Sequence, residues 1–190
     1  MLDKILAYDT ELFLYLNNLG NSTWDPFWLL ITDKWTAIPL YAFLLFLIFK
    51  RFGVKGTLVT IVLIALLITA TDQLANVFKH GFERPRPCRA EGVMEFARYI
   101  AERCGRFGFY SAHASNSTAL ALFIGLMLKK VYPKLLWFLL IWALVVSYSR
   151  IYVGVHYPLD VLTGMTMGAI IGYLISLLHP VLMKKFKVPF

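Results

Sequence analysis

Charge is scarce in this chain of 190 residues. Asp, Glu, Lys and Arg together make up 16% of it, against about 25% in an average soluble domain. Cysteine is nearly absent as well: two residues cannot build a small disulfide scaffold. There is no low-complexity tract and no internal repeat. A hydrophobic content of 59% excludes intrinsic disorder. A soluble domain of this length could not hide so much apolar surface, because much of a folded surface is polar. What remains is an integral membrane protein of one domain, residues 1–190. Acid is the scarcer sign of charge, with 11 Asp and Glu against 19 Lys and Arg.

The gaps between charges locate the spans. Apolar windows run over 35–49, 56–71, 107–128, 135–149 and 161–183. A span needs about 20 predominantly apolar residues. The shorter windows therefore extend to charged residues at the interfaces, whose long side chains reach the headgroups. The expected spans are 35–52, 56–78, 112–129, 133–150 and 158–180. Residues 1–34 lack the basic start and continuous apolar core of a signal peptide. Leu6, Phe13, Leu14, Tyr15 and Leu16 suggest a helix lying in the outer interface. The fold class is thus all-α: a polytopic membrane bundle of five transmembrane helices plus an N-terminal interfacial helix, or six if that stretch crosses.

Loop charges orient the bundle. Lys50, Arg51 and Lys55, then Lys129, Lys130 and Lys134, then Lys184, Lys185 and Lys187 all fall on one side of five spans. By the positive-inside rule that side is the cytoplasm. Residues 79–111 then form the one sizeable loop on the outer side. Within it Val93, Phe96 and Ile100 recur at helical spacing, which predicts a short amphipathic helix. Cys88 and Cys104 both lie in this loop, an oxidising place if the outer side is a periplasm. A bridge between them would pin the loop, but a helix over all of 91–103 would be roughly 20 Å long and would hold them apart. A helix limited to 93–100 permits the bridge. The alternatives are a disulfide or two reduced thiols.

The outer cations run against the usual bias. Arg98 has Glu95 and Glu102 about one helical turn away on either side, so an ion pair with them is expected. Lys79, Arg86 and Arg150 sit at or near span ends. Cations converging there make an anion site, where the planar fork of arginine suits phosphate oxygens and lysine adds a point charge. Arg84 is a fourth contact or a headgroup ligand, and is not expected to be essential.

Three clusters share the outer face: Lys79 to Pro87, Tyr110-Ser111-Ala112-His113, and Ser149 to Asp160. Together they resemble the signature of the type 2 phosphatidic acid phosphatase family, membrane lipid phosphatases that share a phosphate site with vanadium-dependent haloperoxidases and bacterial acid phosphatases. The family pattern is Lys, six residues, Arg-Pro; then Pro-Ser-Gly-His; then Ser-Arg, five residues, His, three residues, Asp. Lys79, Arg86 and Pro87 match the first part, Ser111 and His113 the second, and Ser149, Arg150, His156 and Asp160 the third. The resemblance covers roughly residues 35–180. Tyr110 replaces the family's proline and Ala112 its glycine. Alanine keeps the backbone N–H but disfavours positive φ.

The resemblance implies that His156 attacks phosphorus and forms a phosphohistidine, with Asp160 as the partner of its other ring nitrogen. His113 is the expected general acid. Ser111 and Ala112, at the start of a span, join Lys79, Arg86 and Arg150 in binding phosphate. Asp72 is a carboxylate inside a span, on one helical face with Asn76 and Lys79, and is expected to support the site from behind. No cluster has metal-ligand spacing, so neither metal nor cofactor is expected. His80 and His179 are poor candidates.

The expected activity is hydrolysis of a lipid phosphate monoester or diphosphate at the periplasmic or extracellular face of a bacterial inner membrane. Partners are the bilayer and its lipid substrate, with no nucleic acid. Undecaprenyl diphosphate ranks first, on family frequency. Phosphatidylglycerophosphate, phosphatidic acid and lipid A phosphate follow. The rival reading is a non-catalytic lipid-phosphate-binding or transport protein that kept the phosphate cradle.

Overall fold

The computed structural model describes residues 1–188. Helix accounts for 74% of the chain, and among the described residues no strand forms beyond one isolated bridge between Pro85 and Phe107. In order come α1 (Leu2–Asn18), α2 (Asp25–Thr32), a 3-10 turn at Lys34–Ala37, α3 (Ile38–Phe82), α4 (Ala112–Leu128), α5 (Leu135–Tyr152) and α6 (Pro158–Lys185). Lys34–Phe82, α5 and α6 are each long and apolar enough to cross a membrane, while α4 is apolar but shorter.

The 45 residues of α3 do not make one rod, because Gly53 breaks it with φ 62° and ψ −170°. Only glycine adopts such a backbone cheaply. Lys50, Arg51 and Lys55 flank the break. Leu44 and Ile48 before it share an apolar core with Leu63 and Leu67 after it, together with Phe123, Leu139 and Met183 from α4, α5 and α6.

The pairing that positions the chemistry is α4 against α6. Gly164, Gly168 and Gly172 recur every fourth residue and form one stripe of α6. A Cβ on any of them would run into a backbone carbonyl of α4, that of Ser111, Ser115 or Ala119. Without side chains there, the two backbones touch. At the outer end the contact closes with the Ser111 N–H donating to the Asp160 carbonyl at 2.9 Å.

Helix α1 buries two polar residues beside Phe13 and turns many apolar ones outward. Asp9, Phe13 and Asn17, four residues apart, are buried, whereas Leu2, Ile5, Tyr8, Leu12, Tyr15 and Leu19 are exposed. Phe13 meets the Tyr157 ring edge-on at 5.3 Å. The Asn17 amide donates to the carbonyls of Arg98, Ile151 and Tyr152 at 2.8–3.0 Å and accepts from the Arg98 N–H at 2.7 Å. It thereby ties α1 to the outer loop and to the end of α5.

The outer loop differs from expectation in two ways. No helix forms around Val93, Phe96 and Ile100, and residues 91–96 are consecutive turns. Cys88 and Cys104 are bonded with their Cα atoms 6.3 Å apart, and the chain between them closes through turns rather than an α-helix. The apolar residues also serve different clusters. Val93 packs with Phe13 and Ile151, Ile100 with Tyr152 and Val155, and Phe96 stays exposed. Arg98 turns away from Glu95 and Glu102 and grips both oxygens of Asp25 on α2 at 2.8 and 2.9 Å. Off a helix, the spacing that favoured the local pairs has no geometric meaning.

Candidate active site

A tight connection between α5 and α6 delivers His156 and Asp160. Gly154 takes φ 83°, and a Cβ on it would lie 2.6 Å from the Arg98 carbonyl oxygen. The N–H groups of Val155 and His156 both reach back to the Arg150 carbonyl at 3.2 Å, which folds His156 against the end of α5. Pro158 then opens α6, where its missing N–H costs nothing. Asp160 lies in the first turn. Its Oδ2 accepts the Tyr157 N–H at 3.0 Å and faces His156 Nδ1 at 3.4 Å. His156 is 2% exposed and Asp160 0%. Gly108 comes so close that a Cβ on it would sit 3.0 Å from Asp160 Oδ2.

Lys79, Arg86 and Arg150 converge from three elements. Lys79 stands in the last turn of α3, which ends at Glu83 in the left-handed region with φ 45°. The chain then doubles back through Arg86, whose Nε donates to the Phe107 carbonyl at 3.0 Å. Arg150, on α5, donates from Nη1 to the Thr32 hydroxyl, and its buried Nε has no partner. Among the described residues none of the three lies within 4.0 Å of a carboxylate, whereas Arg84 and Arg98 do. Burial lowers the Arg86 guanidinium below its ordinary value, and Asp160 opposes that shift.

The effect on His156 is direct. Burial first, then Arg86, Arg150 and Lys79, push its ring well below the ordinary value of 6.5. A neutral imidazole with Nδ1 turned to Asp160 can present Nε2 unprotonated.

Ser111 caps α4, its Oγ accepting the Ala114 N–H at 3.5 Å. Ala112 is the first helical residue and does not have positive φ. Alanine in place of glycine therefore strains nothing, and the helix N-terminus still offers its free N–H groups. Tyr110, in place of proline, is fully buried against Phe78 at a ring distance of 5.2 Å. His113 is exposed into two cavities. One, of about 360 Å³, runs along α3 and α4 past Asp72 and Asn116. The other, of about 650 Å³, is shared with Arg150 and opens outward between Asp33, Lys34, Trp35, Glu102 and Arg103.

Asp72 accepts from the Asn116 amide at 2.9 Å, and Asn116 also bonds Thr71. Its direct partner is thus a residue three positions beyond His113 on α4. Thr32, Asn116 and Asp9 lie in no motif that marks them as part of the site. The position of Asn116, one turn past His113, was the only available signal. Arg84 does not belong with the free cations: it bridges Asp9 at 2.7 Å and Asp160 at 3.0 Å. His80 bonds its own helix at the Asn76 carbonyl, and His179 packs between Phe52 and Phe123.

The family model described as the PAP2 superfamily matches residues 57–184. A lipid A 4'-phosphatase from Bacteroides thetaiotaomicron is 37% identical over 177 residues, which is 92% of this chain and 78% of that protein. An undecaprenyl-diphosphatase from Sulfolobus acidocaldarius is 33% identical over 178 residues, 90% of this chain and 79% of that one. Among solved structures, the crystal structure of LpxE from Aquifex aeolicus superposes with a TM-score of 0.67 at 25% identity, over 87% of this chain and 92% of that one.

Proposed function

We propose that this chain, which belongs to the PAP2 superfamily and is a membrane lipid phosphatase, releases phosphate from a phosphorylated glycolipid through a phosphohistidine on His156. The observation that carries this reading is the set of three cations without acidic partners around a neutral, oriented imidazole. Lys79, Arg86 and Arg150 hold the phosphate oxygens and spread the charge of the transition state. The Ser111 cap and the first N–H groups of α4, beginning at Ala112, add donors. The Nε2 lone pair of His156 forms the N–P bond as the P–O bond to the lipid breaks, and His113 gives its proton to the departing oxygen. Water then attacks the phosphohistidine. Its proton returns to His113, the N–P bond breaks, and inorganic phosphate leaves with His156 neutral again. Asp160 compensates the charge that the ring acquires in between. No step calls for a metal or cofactor.

Five crossings fit the break at Gly53, with the two halves of α3 packed on each other as separate spans. The outward apolar face of α1 favours a helix lying in the interface. The nine cations at 50–55, 129–134 and 184–187 are all exposed at the ends of helices remote from the site. By the positive-inside rule this supports a site on the periplasmic face of a bacterial inner membrane.

Two observations favour a glycolipid monophosphate. The lipid A 4'-phosphatase is the more similar of the two relatives. The cavity of about 650 Å³ beyond His113 is lined by Asp33, Lys34, Thr36, Glu102 and Arg103, hydrogen-bonding partners suited to sugar hydroxyls. A prenyl diphosphate has no such headgroup to fill it. An apolar cavity of about 320 Å³ between Leu44, Ile48, Ile64, Ile68 and Leu120 offers room for acyl chains. Undecaprenyl diphosphate becomes the second reading, favoured by the diphosphatase relative. Phosphate release in detergent with chelator present tests these readings. We expect turnover of lipid A-type monophosphate to exceed that of undecaprenyl diphosphate, and His156→Ala to abolish both. Inactivity on both lipids and on phosphatidic acid would leave the non-catalytic binding protein as the better account, and full activity of His156→Ala would overturn the phosphohistidine.

A further inference from the structure

Arg84 is the outer cation that sequence reasoning set aside, and its surroundings give it a different task from that of its neighbours. Both ends of its guanidinium are occupied: Nη2 by Asp9 Oδ2 at 2.7 Å and Nη1 by Asp160 Oδ1 at 3.0 Å. Its plane lies over the Tyr157 ring, with Cζ 3.8 Å from the centroid. Its charge and two of its five N–H donors are thereby committed to carboxylates rather than to phosphate. It fixes instead which way Asp160 points. With Oδ1 taken by Arg84, Oδ2 is left to the Tyr157 N–H and to His156 Nδ1.

Asp9 closes the arrangement from α1. Its second oxygen accepts the Leu159 N–H at 2.8 Å, in the first turn of α6 and next to Asp160. The residue is 4% exposed. Burial pushes its carboxyl above the ordinary range, and the Leu159 N–H and Arg84 pull it back. A buried carboxylate with both oxygens committed is expensive unless its partners are fixed. Here they are the first turn of the helix that carries Asp160 and the arginine that orients it. The PAP2 match begins at residue 57, so Asp9 lies outside it.

We propose that Asp9 and Arg84 are positioning residues that act through Asp160 to hold His156 in its attacking orientation, so that α1 is part of the catalytic apparatus. The inference rests on His156 being the nucleophile. Misplacing a reacting group by about 1 Å can cost on the order of 100-fold in rate. Arg84→Gln should therefore lower kcat roughly 100-fold with KM nearly unchanged, because substrate does not touch it. Asp9→Asn keeps the shape and the contact to Leu159 while weakening the hold on Arg84, and should lower kcat roughly 10-fold. Arg84→Lys, which can reach one carboxylate at a time, should recover part of the loss.

The decisive measurement is the double-variant cycle with Asp160→Asn. If Arg84 works through Asp160, Arg84→Gln adds little to a chain that already carries Asp160→Asn. Three outcomes would overturn the proposal: a rise in KM with kcat intact, which would make Arg84 a phosphate ligand; undiminished losses in the Asp160→Asn background; or wild-type kcat in well-folded Arg84→Gln and Asp9→Asn. Arg84→Gln failing to fold leaves Asp9→Asn and Arg84→Lys to decide by the same cycle. His156→Ala in the same assay separates the two levels. If it stays active, the nucleophile reading has failed; if it is dead while the others behave as wild type, only the positioning role has failed.

Discussion

A methyl group at Gly164 tests how the two histidines are held in register. His113 rides on α4, and His156 and Asp160 on the start of α6, so their separation depends on how closely those helices approach. The Cβ of Gly164→Ala would lie 3.3 Å from both the Ser111 carbonyl carbon and the Ala114 Cβ, and closer still to the Ser111 carbonyl oxygen. Backbone cannot swing aside as a flexible side chain can, so the helices must part. Overpacking of this kind costs about 1–3 kcal/mol, and exchanging glycine for alanine in a helix returns about 1 kcal/mol. The net loss of stability is therefore at most about 2 kcal/mol. Activity should suffer more. Gly164 lies four residues from Asp160, roughly 6 Å along α6, and the Ser111–Asp160 bond at 2.9 Å spans the same gap. A shift of about half an ångström to 1 Å there predicts a kcat loss of roughly 10- to 100-fold. Gly172→Ala is the control. Its Cβ would meet the Ala119 Cα at 2.9 Å, a clash at least as severe, about 18 Å from Asp160 along α6. It should cost similar stability with kcat nearly intact. Thermal unfolding and phosphate release in the same detergent measure both quantities. Equal kcat losses in the two variants, or none in either, would refute the idea that this stripe sets the geometry of the site.

The buried His156 should make the fold acid-sensitive. Its folded value is well below 6.5, so the unfolded chain takes up the extra proton first, and stability that is complete above pH 6.5 falls as pH drops. The loss at pH 5.5 is about 1.4 kcal/mol. His156→Asn should escape it, and unfolding at pH 7.5 and 5.5 would show the gap between the two proteins shifting by that amount. An unchanged gap would contradict the burial of a neutral ring. Reducing the Cys88–Cys104 bridge, or replacing both residues by serine, should lower stability by about 3 kcal/mol for a closed loop of about 15 residues. Because Arg86 precedes this loop and Phe107, which holds it, follows, KM should rise as well. A KM unaffected by reduction would separate the bridge from the site.

What could be read in the sequence was what lies close along the chain. His156 and Asp160 are four residues apart on either side of a helix start, and the positions of Lys79, Arg86 and Arg150 at span ends needed only hydropathy and spacing. What could not be read was pairing at long range. Arg84 with Asp9, Arg98 with Asp25, and Arg150 with Thr32 are separated by 75, 73 and 118 positions. No local rule reaches so far. The error over Arg98 has the same root: its pairing with Glu95 and Glu102 presumes a helix, and the bridged loop does not form one. The apolar stripe of Val93, Phe96 and Ile100 was real as a pattern, but it serves two separate clusters.

The scarcity of acid explains why the three site cations stay available. Among the described residues, the four aspartates that are at least partly buried are already committed. Asp9 holds Arg84 and the Leu159 N–H, Asp160 holds Arg84 and the Tyr157 N–H, Asp25 holds Arg98 and the Tyr152 hydroxyl, and Asp72 holds the Asn116 amide. Lys79, Arg86 and Arg150 are left with neutral partners or none. Like charges held together in a partly buried place repel one another, and an anion bound among them relieves that repulsion. An additional carboxylate within reach would relieve it permanently and compete with substrate. Arg84 shows the other outcome a few residues away: with two carboxylates it becomes a fixed support, and its charge is no longer available for binding. Whether an arginine in this loop binds or braces is thus decided by the acids around it.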